Sequence, residues 1–141
     1  MTEASNTLAL VADIGGTNAR FALTDISTAH PVLSHSLSLP AADFASLQHA
    51  IEHYLAKVGA KPRLASLAVA CPVLGDDIRL TNRAWAFSQN ELKARLGLEH
   101  MLVINDFGAA ALAVLDIGDG DRVCLHGSQD QQRKGPITVI G

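Results

Sequence analysis

The residues best suited to chemistry in this sequence form one stretch near its start. The stretch consists of Asp13, Ile14, Gly15, Gly16, Thr17, Asn18, Ala19 and Arg20. Short apolar runs on both sides predict a β-hairpin, whose paired glycines would supply the positive backbone dihedrals that a tight connection needs. Because glycine has no side chain, an anion can approach the backbone N–H groups of the turn, and the neighbouring hydroxyl and amide add donors. The stretch therefore predicts a hairpin that binds phosphate groups.

Asp13 ends the first predicted strand and would lie beside those phosphates. A carboxylate beside phosphate needs a cation between them, so we expect Asp13 to hold Mg²⁺, directly or through water. The alternative is an ordinary turn with a solvated aspartate, because glycine and asparagine are common in turns. Two better-known phosphate loops, Gly-x-x-x-x-Gly-Lys-Ser/Thr and Gly-x-Gly-x-x-Gly, are absent from the sequence. Any nucleotide would therefore bind through the hairpin.

A second candidate site is Asn105-Asp106, which follows an apolar run and precedes a predicted helix. Ligands of open α/β sheets bind at this end of the strands. Asp106 has two interpretations, which are compatible: it caps the helix, or it is a general base that takes a proton from a hydroxyl attacking a γ-phosphate. In the second interpretation Asn105 holds neighbouring hydroxyls.

The loop from Thr81 to Trp85 adds Asn82 and Arg83 as hydrogen-bonding groups and contains the one tryptophan. It is either a sugar-facing loop or a tryptophan anchor in the core, and composition alone does not separate the two.

His49 and His53 have the spacing of a class of zinc peptidases, His-x-x-Glu-His. The apolar stripe of their predicted helix centres near Ile51 and Leu55, so both histidines point to the opposite, solvated side. A catalytic zinc also needs a third ligand and a sheltered cleft. The sequence therefore argues against a zinc site.

Strands and helices alternate along the chain, which predicts an α/β domain. Predicted strands cover residues 8–12, 21–23, 32–39, 64–71, 78–81 and 101–104, and predicted helices cover 44–58, 88–97 and 107–115. The third strand lies between two prolines, so we place it at the sheet edge. Asp43 is the predicted N-cap of the first helix, and Ser88 with Glu91 forms a capping box for the second. The third helix is apolar on nearly every face, so we expect it to be buried between two layers.

The composition excludes several classes of protein. The chain has 141 residues, of which 48% are hydrophobic and 18% charged, and this suits one domain with a sizeable core. The net charge is −3 without a basic cluster, which argues against nucleic acid or an anionic membrane as partner. No basic leader or membrane-length apolar run is present, so we expect a cytoplasmic protein. Cys71 and Cys124 lie far apart in apolar surroundings and are predicted to be buried thiols.

Four motifs together resemble the amino-terminal half of bacterial glucokinases. They are Asp13-x-Gly15-Gly16-Thr17-Asn18-x-Arg20, Ala70-Cys71-Pro72, Thr81-Asn82-x-x-Trp85 and Ile104-Asn105-Asp106-Phe107. The resemblance implies the superfamily of sugar kinases, actin and heat-shock chaperones, with a ribonuclease-H-like mixed sheet and flanking helices in each of two lobes. Residues 1–135 would form the smaller amino-terminal lobe, and residues 136–141 the first strand of a truncated second lobe.

The resemblance also implies partners and roles. ATP phosphates and Mg²⁺ would meet the hairpin residues Asp13, Ile14, Gly15, Gly16, Thr17, Asn18 and Arg20. Glucose would meet Asn82, Asn105 and Asp106, with Asp106 as the base. The chain would then be a fragment of an enzyme that makes glucose 6-phosphate, and a homodimer is an expectation for the full-length protein.

Two other classes fit less well. A regulator on a sugar-kinase scaffold usually carries a helix-turn-helix ahead of the hairpin, and the first seven residues are too few for one. An actin-like ATPase would keep the hairpin but does not need a hydroxyl-deprotonating Asn105-Asp106. A non-catalytic sugar- or nucleotide-binding module remains the alternative to the kinase.

Overall fold

The computed structural model describes residues 7–81, 84–127 and 136–140. Within them the chain divides into two units, residues 1–106 and residues 107–141. The first unit contains a five-stranded sheet with the order β3-β2-β1-β4-β7. Its strands are β1 (Leu8–Ile14), β2 (Asn18–Asp25), β3 (Ser34–Pro40), β4 (Leu64–Val69) and β7 (His100–Asn105). A separate two-stranded ladder pairs β5 (Asp77–Arg79) with β6 (Ala86–Ser88).

The sheet is mixed, as predicted. β1, β2 and β3 are antiparallel neighbours, whereas β1, β4 and β7 run parallel. Helix α1 (Leu47–Val58) connects β3 to β4, and helix α2 (Gln89–Arg95) precedes β7. The parallel strands need such crossovers because a tight turn cannot join parallel neighbours. The prediction of a ribonuclease-H-like α/β fold with flanking helices is confirmed.

The core of the first unit lies between the sheet and α1. Tyr54 of α1 is fully buried, stacks on Phe21 of β2 with ring centroids 5.2 Å apart, and donates its hydroxyl to the His35 carbonyl at 3.0 Å. Trp85 is only 4% exposed and donates its ring N–H to the Phe44 carbonyl at 3.1 Å. Of the two interpretations of the tryptophan loop, the structure supports a core anchor for Trp85.

The beginning of α1 differs from the prediction. Its N-cap is Ser46, whose side chain accepts the His49 backbone N–H at 3.2 Å, and not Asp43. Asp43 lies in a short 3₁₀ helix, Ala41–Asp43, and so lacks the extended backbone that Ser46 has as the N-cap. The C-terminal prediction is confirmed, since Gly59 caps α1 with a φ of 66°.

The end of β4 also differs. The strand was predicted to reach Cys71 but ends at Val69, because the Cys71 N–H turns back onto the Val69 carbonyl at 2.9 Å and Pro72 has no N–H for a ladder. The capping box of α2 is confirmed, with Ser88 accepting the Glu91 N–H at 3.1 Å. The edge position of β3 is confirmed as well.

Helix α3 (Asp106–Ala113) contains no buried residue, although the sequence predicts burial on nearly every face. Phe107 and Leu112 are 63% and 59% exposed, so the described residues supply no second layer over these side chains. Residues 136–140 form neither strand nor helix, in contrast to the predicted strand. A strand is defined by bonds to a neighbouring strand, and these residues have none within the described chain. The division into lobes at residue 135 stays a prediction.

Both cysteines are free thiols, but only Cys71 is buried. Cys124 is exposed, contrary to the prediction, because residues 122–125 form no helix or strand and leave Val123 and Leu125 exposed as well. No helix among residues 7–81, 84–127 and 136–140 is long and apolar enough to cross a membrane.

Candidate functional site

The predicted hairpin is present and is held firmly at its turn. β1 and β2 pair along their whole length, from Leu8 opposite Asp25 to Ile14 opposite Ala19. The Gly15 N–H donates to the Asn18 carbonyl at 3.0 Å, which closes the turn. Ile14 and Ala19 are fully buried beneath it. The residues between the strands are therefore presented on a rigid, buried base.

A further hydrogen bond fixes the turn from outside. The Ala41 N–H donates to the Thr17 carbonyl at 2.9 Å, which ties the turn to the short 3₁₀ helix after β3. The backbone of Thr17 is thus fixed relative to this 3₁₀ helix.

The conformation of Gly15 differs from the prediction. Its φ does not lie in the positive region that favours glycine, and a Cβ placed there would meet only the Asn18 carbonyl oxygen at 3.4 Å, an ordinary contact. The turn does not require glycine at position 15 for backbone geometry. A side chain at position 15 would instead obstruct the approach of a ligand to the turn from outside, and a phosphate-binding turn requires that this approach be open.

Asp13 has a cationic partner within the chain. Asp13 and Arg20 are directly opposite each other across the hairpin, and the Arg20 Nη1 lies 3.0 Å from the Asp13 Oδ2. Both side chains are more than half exposed, so solvent screens the pair. Arg20 therefore supplies positive charge beside the Asp13 carboxylate within the chain itself. Mg²⁺ at Asp13 stays a prediction.

The segment after β4 connects the hairpin to the other strand ends. The Ala70 N–H donates to the Ile14 carbonyl at 3.1 Å, which joins this segment to the end of β1. The Thr81 hydroxyl donates to the Ala70 carbonyl at 2.9 Å. The backbone of Ala70 and Cys71 is therefore a junction between the end of β1 and Thr81. Sequence reasoning includes Ala70 and Cys71 only through the resemblance, and Pro72 is the one local signal at this position.

Asn105 and Asp106 lie at the same junction. The Asn105 side-chain amide donates to the Cys71 carbonyl at 3.1 Å and to the Asp106 Oδ1 at 3.0 Å. Burial, and next to it the negative charge of Asp106, raises the pKa of the Cys71 thiol. Cys71 is 3% exposed and belongs to the hydrophobic core cluster, so it packs as a small apolar side chain.

The register of the sheet brings the two predicted sites to one edge. Ile14 pairs with Val69 across the parallel β1–β4 ladder, and Val69 pairs with Asn105 across β4–β7. Ile14, Val69 and Asn105 therefore lie in one row across the sheet, and Ile14 and Asn105 are two strand spacings, or about 10 Å, apart. The hairpin turn follows Ile14, and Asp106 follows Asn105. Asn82, the third predicted sugar contact, lies outside the described residues, as does Arg83.

The two histidines of α1 belong to no metal-binding group among the described residues. His49 and His53 are exposed on α1, as predicted, and within the described ranges no three His, Cys, Asp or Glu side chains are grouped closely enough to hold a metal ion.

Comparison with known families assigns the chain to one of them. The model of the family "Glucokinase" matches residues 10–141. The chain belongs to the glucokinase family. Curated glucokinases from Tolumonas auensis and Yersinia pestis are 42% and 40% identical to it, over 94% and 96% of the chain. The chain spans about 40% of the length of these glucokinases.

Solved structures show the same fold. A glucokinase from an Antarctic psychrotroph is 42% identical, superposes with a TM-score of 0.79, and is matched over 89% of this chain and 40% of its own. A Streptomyces griseus glucokinase of the ROK family, solved with glucose and AMPPNP, has a TM-score of 0.54 at 21% identity, over 80% of this chain and 38% of its own. At that identity the second likeness concerns the fold alone.

Proposed function

We propose that the whole protein that carries this chain transfers the γ-phosphoryl group of ATP to a hydroxyl of glucose. The observation that supports this most directly is the register that sets the hairpin turn and Asn105-Asp106 in one row at the carboxyl edge of β1, β4 and β7. Phosphoryl transfer needs a phosphate cradle and a base close together. Membership of the glucokinase family supports the choice of substrates.

The hairpin is assigned to the ATP phosphates. The residues assigned to this role are Asp13, Ile14, Gly15, Gly16, Thr17, Asn18 and Arg20. Their turn stands on a rigid, buried base, and no side chain at position 15 covers its outer surface, which favours the approach of an anion. The Gly15 N–H itself bonds the Asn18 carbonyl within the turn. Arg20 can pair with a phosphate oxygen when it leaves Asp13, because guanidinium binds carboxylate and phosphate in the same geometry.

Asp13 is the residue that would hold Mg²⁺. One exposed carboxylate fits this ion, which usually keeps several waters and binds through one or two carboxylates plus substrate phosphates. When bound, the ion would neutralise charge on the transferred phosphoryl group.

Asp106 is the proposed base and Asn105, Asp106 and Asn82 the proposed sugar contacts. Asp106 takes the proton of the attacking glucose hydroxyl, the oxygen forms a bond to the γ-phosphorus, and the bond to the ADP oxygen breaks. The proton moves to Asp106, and the electron pair of the broken bond leaves with ADP. The relatives' length leaves room for the adenosine site and further sugar contacts beyond this chain.

The test is an ATP-coupled assay of the whole protein, purified free of host kinases, on glucose, mannose and fructose. Phosphorylation of glucose above the other sugars is expected. ATP hydrolysis without transfer to any sugar would point to an ATPase, and neither activity would point to a binding module. A cytoplasmic location, a homodimer and the absence of nucleic acid and membrane partners are predictions that accompany this function.

A further inference from the structure

The side-chain amide of Asn105 has two hydrogens, and the structure gives each an acceptor. One acceptor is the Cys71 carbonyl oxygen at 3.1 Å and the other is the Asp106 Oδ1 at 3.0 Å. A carbonyl and a carboxylate only accept, so the nitrogen of the amide must face both of them. The orientation of Asn105 is therefore determined by its neighbours.

The Cys71 carbonyl belongs to a backbone segment that is hydrogen-bonded to the ends of β4 and β1. Cys71 is 3% exposed, its N–H bonds the Val69 carbonyl at 2.9 Å, and the preceding Ala70 N–H bonds the Ile14 carbonyl at 3.1 Å. The backbone of Ala70 and Cys71 thus connects two sets of hydrogen bonds, one to the end of the hairpin strand and one through Asn105 to the carboxylate of Asp106.

We propose that Asn105 is a positioning residue that orients the Asp106 carboxylate relative to the phosphate hairpin. This inference rests on the proposed function, in which Asp106 is the base. A carboxylate at the start of a helix can rotate about its side-chain bonds, and a donor anchored in the sheet selects one orientation. Asn105 acts on the reaction through Asp106, beyond any contact it makes with the sugar.

Two simpler roles for Asn105 predict different kinetics. If Asn105 only contacts sugar, its loss raises the KM for glucose and leaves kcat nearly unchanged. If it only caps α3, its loss reduces stability and leaves the kinetics of the folded protein unchanged. If it orients Asp106, kcat falls with a smaller change in KM.

Asn105→Asp is the most informative variant, because aspartate has the same shape and caps a helix about as well but cannot donate to Cys71 or Asp106. Asn105→Ser retains a cap, adds no charge and is too short to bridge both acceptors. Asn90→Asp makes the same chemical change at an exposed position of α2 and is the matched control, with unchanged kcat and KM expected.

The kinetic test is a double-mutant cycle in the whole protein. Asn105→Asp and Asn105→Ser are each expected to lower kcat about 10- to 100-fold in the parent, because a misplacement of about 1 Å costs up to about 100-fold. In the Asp106→Asn background the same substitutions should lower kcat less than about threefold, since the group they orient is already gone. Equal losses in both backgrounds, or a change in KM alone, would overturn the proposal.

A structural readout separates this inference from the proposed function. In a crystal structure of the Asn105→Ser protein, the Asp106 carboxylate should adopt a different rotamer or more than one. An unchanged carboxylate would overturn the positioning role whatever the activity. A parent protein that does not phosphorylate glucose would reject the proposed function, and the crystal structure would still decide whether Asn105 orients Asp106.

Discussion

At the scale of single residues, the candidate site contains two carboxylates in different surroundings. Asp13 is exposed and paired with Arg20 across the hairpin, so solvent and phosphate can compete for both charges. Asp106 is half-buried at the start of α3 and accepts from the Asn105 amide, which also donates to the Cys71 carbonyl just beyond β4. The exposed ion pair of Asp13 can exchange partners, which suits a residue that meets a nucleotide as it binds and leaves. The carboxylate of Asp106 is held in place, which suits a proton acceptor.

We expect Asp106→Asn to lower kcat about 10²- to 10⁴-fold in the whole protein, which is the usual contribution of a positioned base. Asparagine can still accept from the Asn105 amide and caps a helix about as well, so stability should stay nearly constant. Steady-state kinetics on glucose with a thermal melt of each protein checks both expectations. A kcat within a few-fold of the parent would leave Asp106 as a cap only.

Asp13→Ala should reduce turnover at limiting Mg²⁺ by at least about tenfold, which is the lower end of the loss when support for a metal site is removed. The fold should persist, because exposed ion pairs contribute at most about 1 kcal/mol. Titration of activity with Mg²⁺ is the measurement, and Arg20→Met is the comparison.

The Arg20→Met variant separates two roles of Asp13. If Asp13 holds the metal, Asp13→Ala raises the Mg²⁺ requirement, whereas Arg20→Met raises the KM for ATP. If Asp13 serves only to pair with Arg20, the two variants share one phenotype and the double variant is no worse than either.

At the scale of elements, the capping of α2 involves more than the predicted box. Asp76 accepts the Ser88 hydroxyl at 2.5 Å and the Asn90 backbone N–H at 2.9 Å, so a turn residue far along the chain joins the cap. These bonds, with the Ser88 hydroxyl first, hold the pKa of Asp76 below its ordinary value of 3.8. The helix start therefore depends on the ionised form of Asp76.

The contribution of Asp76 to the stability of the fold should decrease as the pH falls. Because the pKa of Asp76 is lower in the folded state, its contribution is fully present above the unfolded value near 3.8 and is lost as the pH falls through the folded pKa. Asp76→Asn should therefore lower the urea midpoint at pH 7, and the gap to the parent should close as the pH falls below 3.8. Asp77→Asn removes the same charge from the next residue without breaking the bonds to Ser88 and Asn90. A gap for Asp76→Asn that is constant with pH would contradict the expectation.

At the scale of the whole molecule, the two units differ in how much apolar surface they bury. Residues 1–106 contain the buried cluster between the sheet and the helices, whereas in residues 107–141 large apolar side chains such as Phe107, Leu115 and Leu125 are exposed. Exposed large apolar side chains are therefore concentrated in the second unit. The chain spans about 40% of the length of the curated glucokinases that it matches.

Residues 1–141 alone should retain α/β circular dichroism, bind a hydrophobic dye and show no transfer of phosphate to glucose. Catalysis by proximity needs both substrates held, and the relatives use more than twice this length. The measurement is a coupled assay on protein purified from a host without hexose kinases, with the whole protein as positive control. Glucose phosphorylation above the blank by residues 1–141 would contradict this prediction.

The sequence by itself determined the elements whose signals are local. The glycines after an apolar run marked the hairpin, Ser88 and Glu91 marked the start of α2, and Gly59 marked the end of α1, because turns and caps involve residues a few positions apart. Asp43 and Ser46 show the limit of such signals. Both residue types cap helices, and the choice depended on where the backbone left its 3₁₀ turn.

Only the tertiary structure decided how the candidate residues meet. The alignment of Ile14, Val69 and Asn105 depends on the register of parallel strands that are distant along the chain, which no local pattern encodes. The bond from Asn105 to the Cys71 carbonyl follows from the same register. The exposure of α3 is also a tertiary property, since an apolar helix is buried only where a second layer meets it.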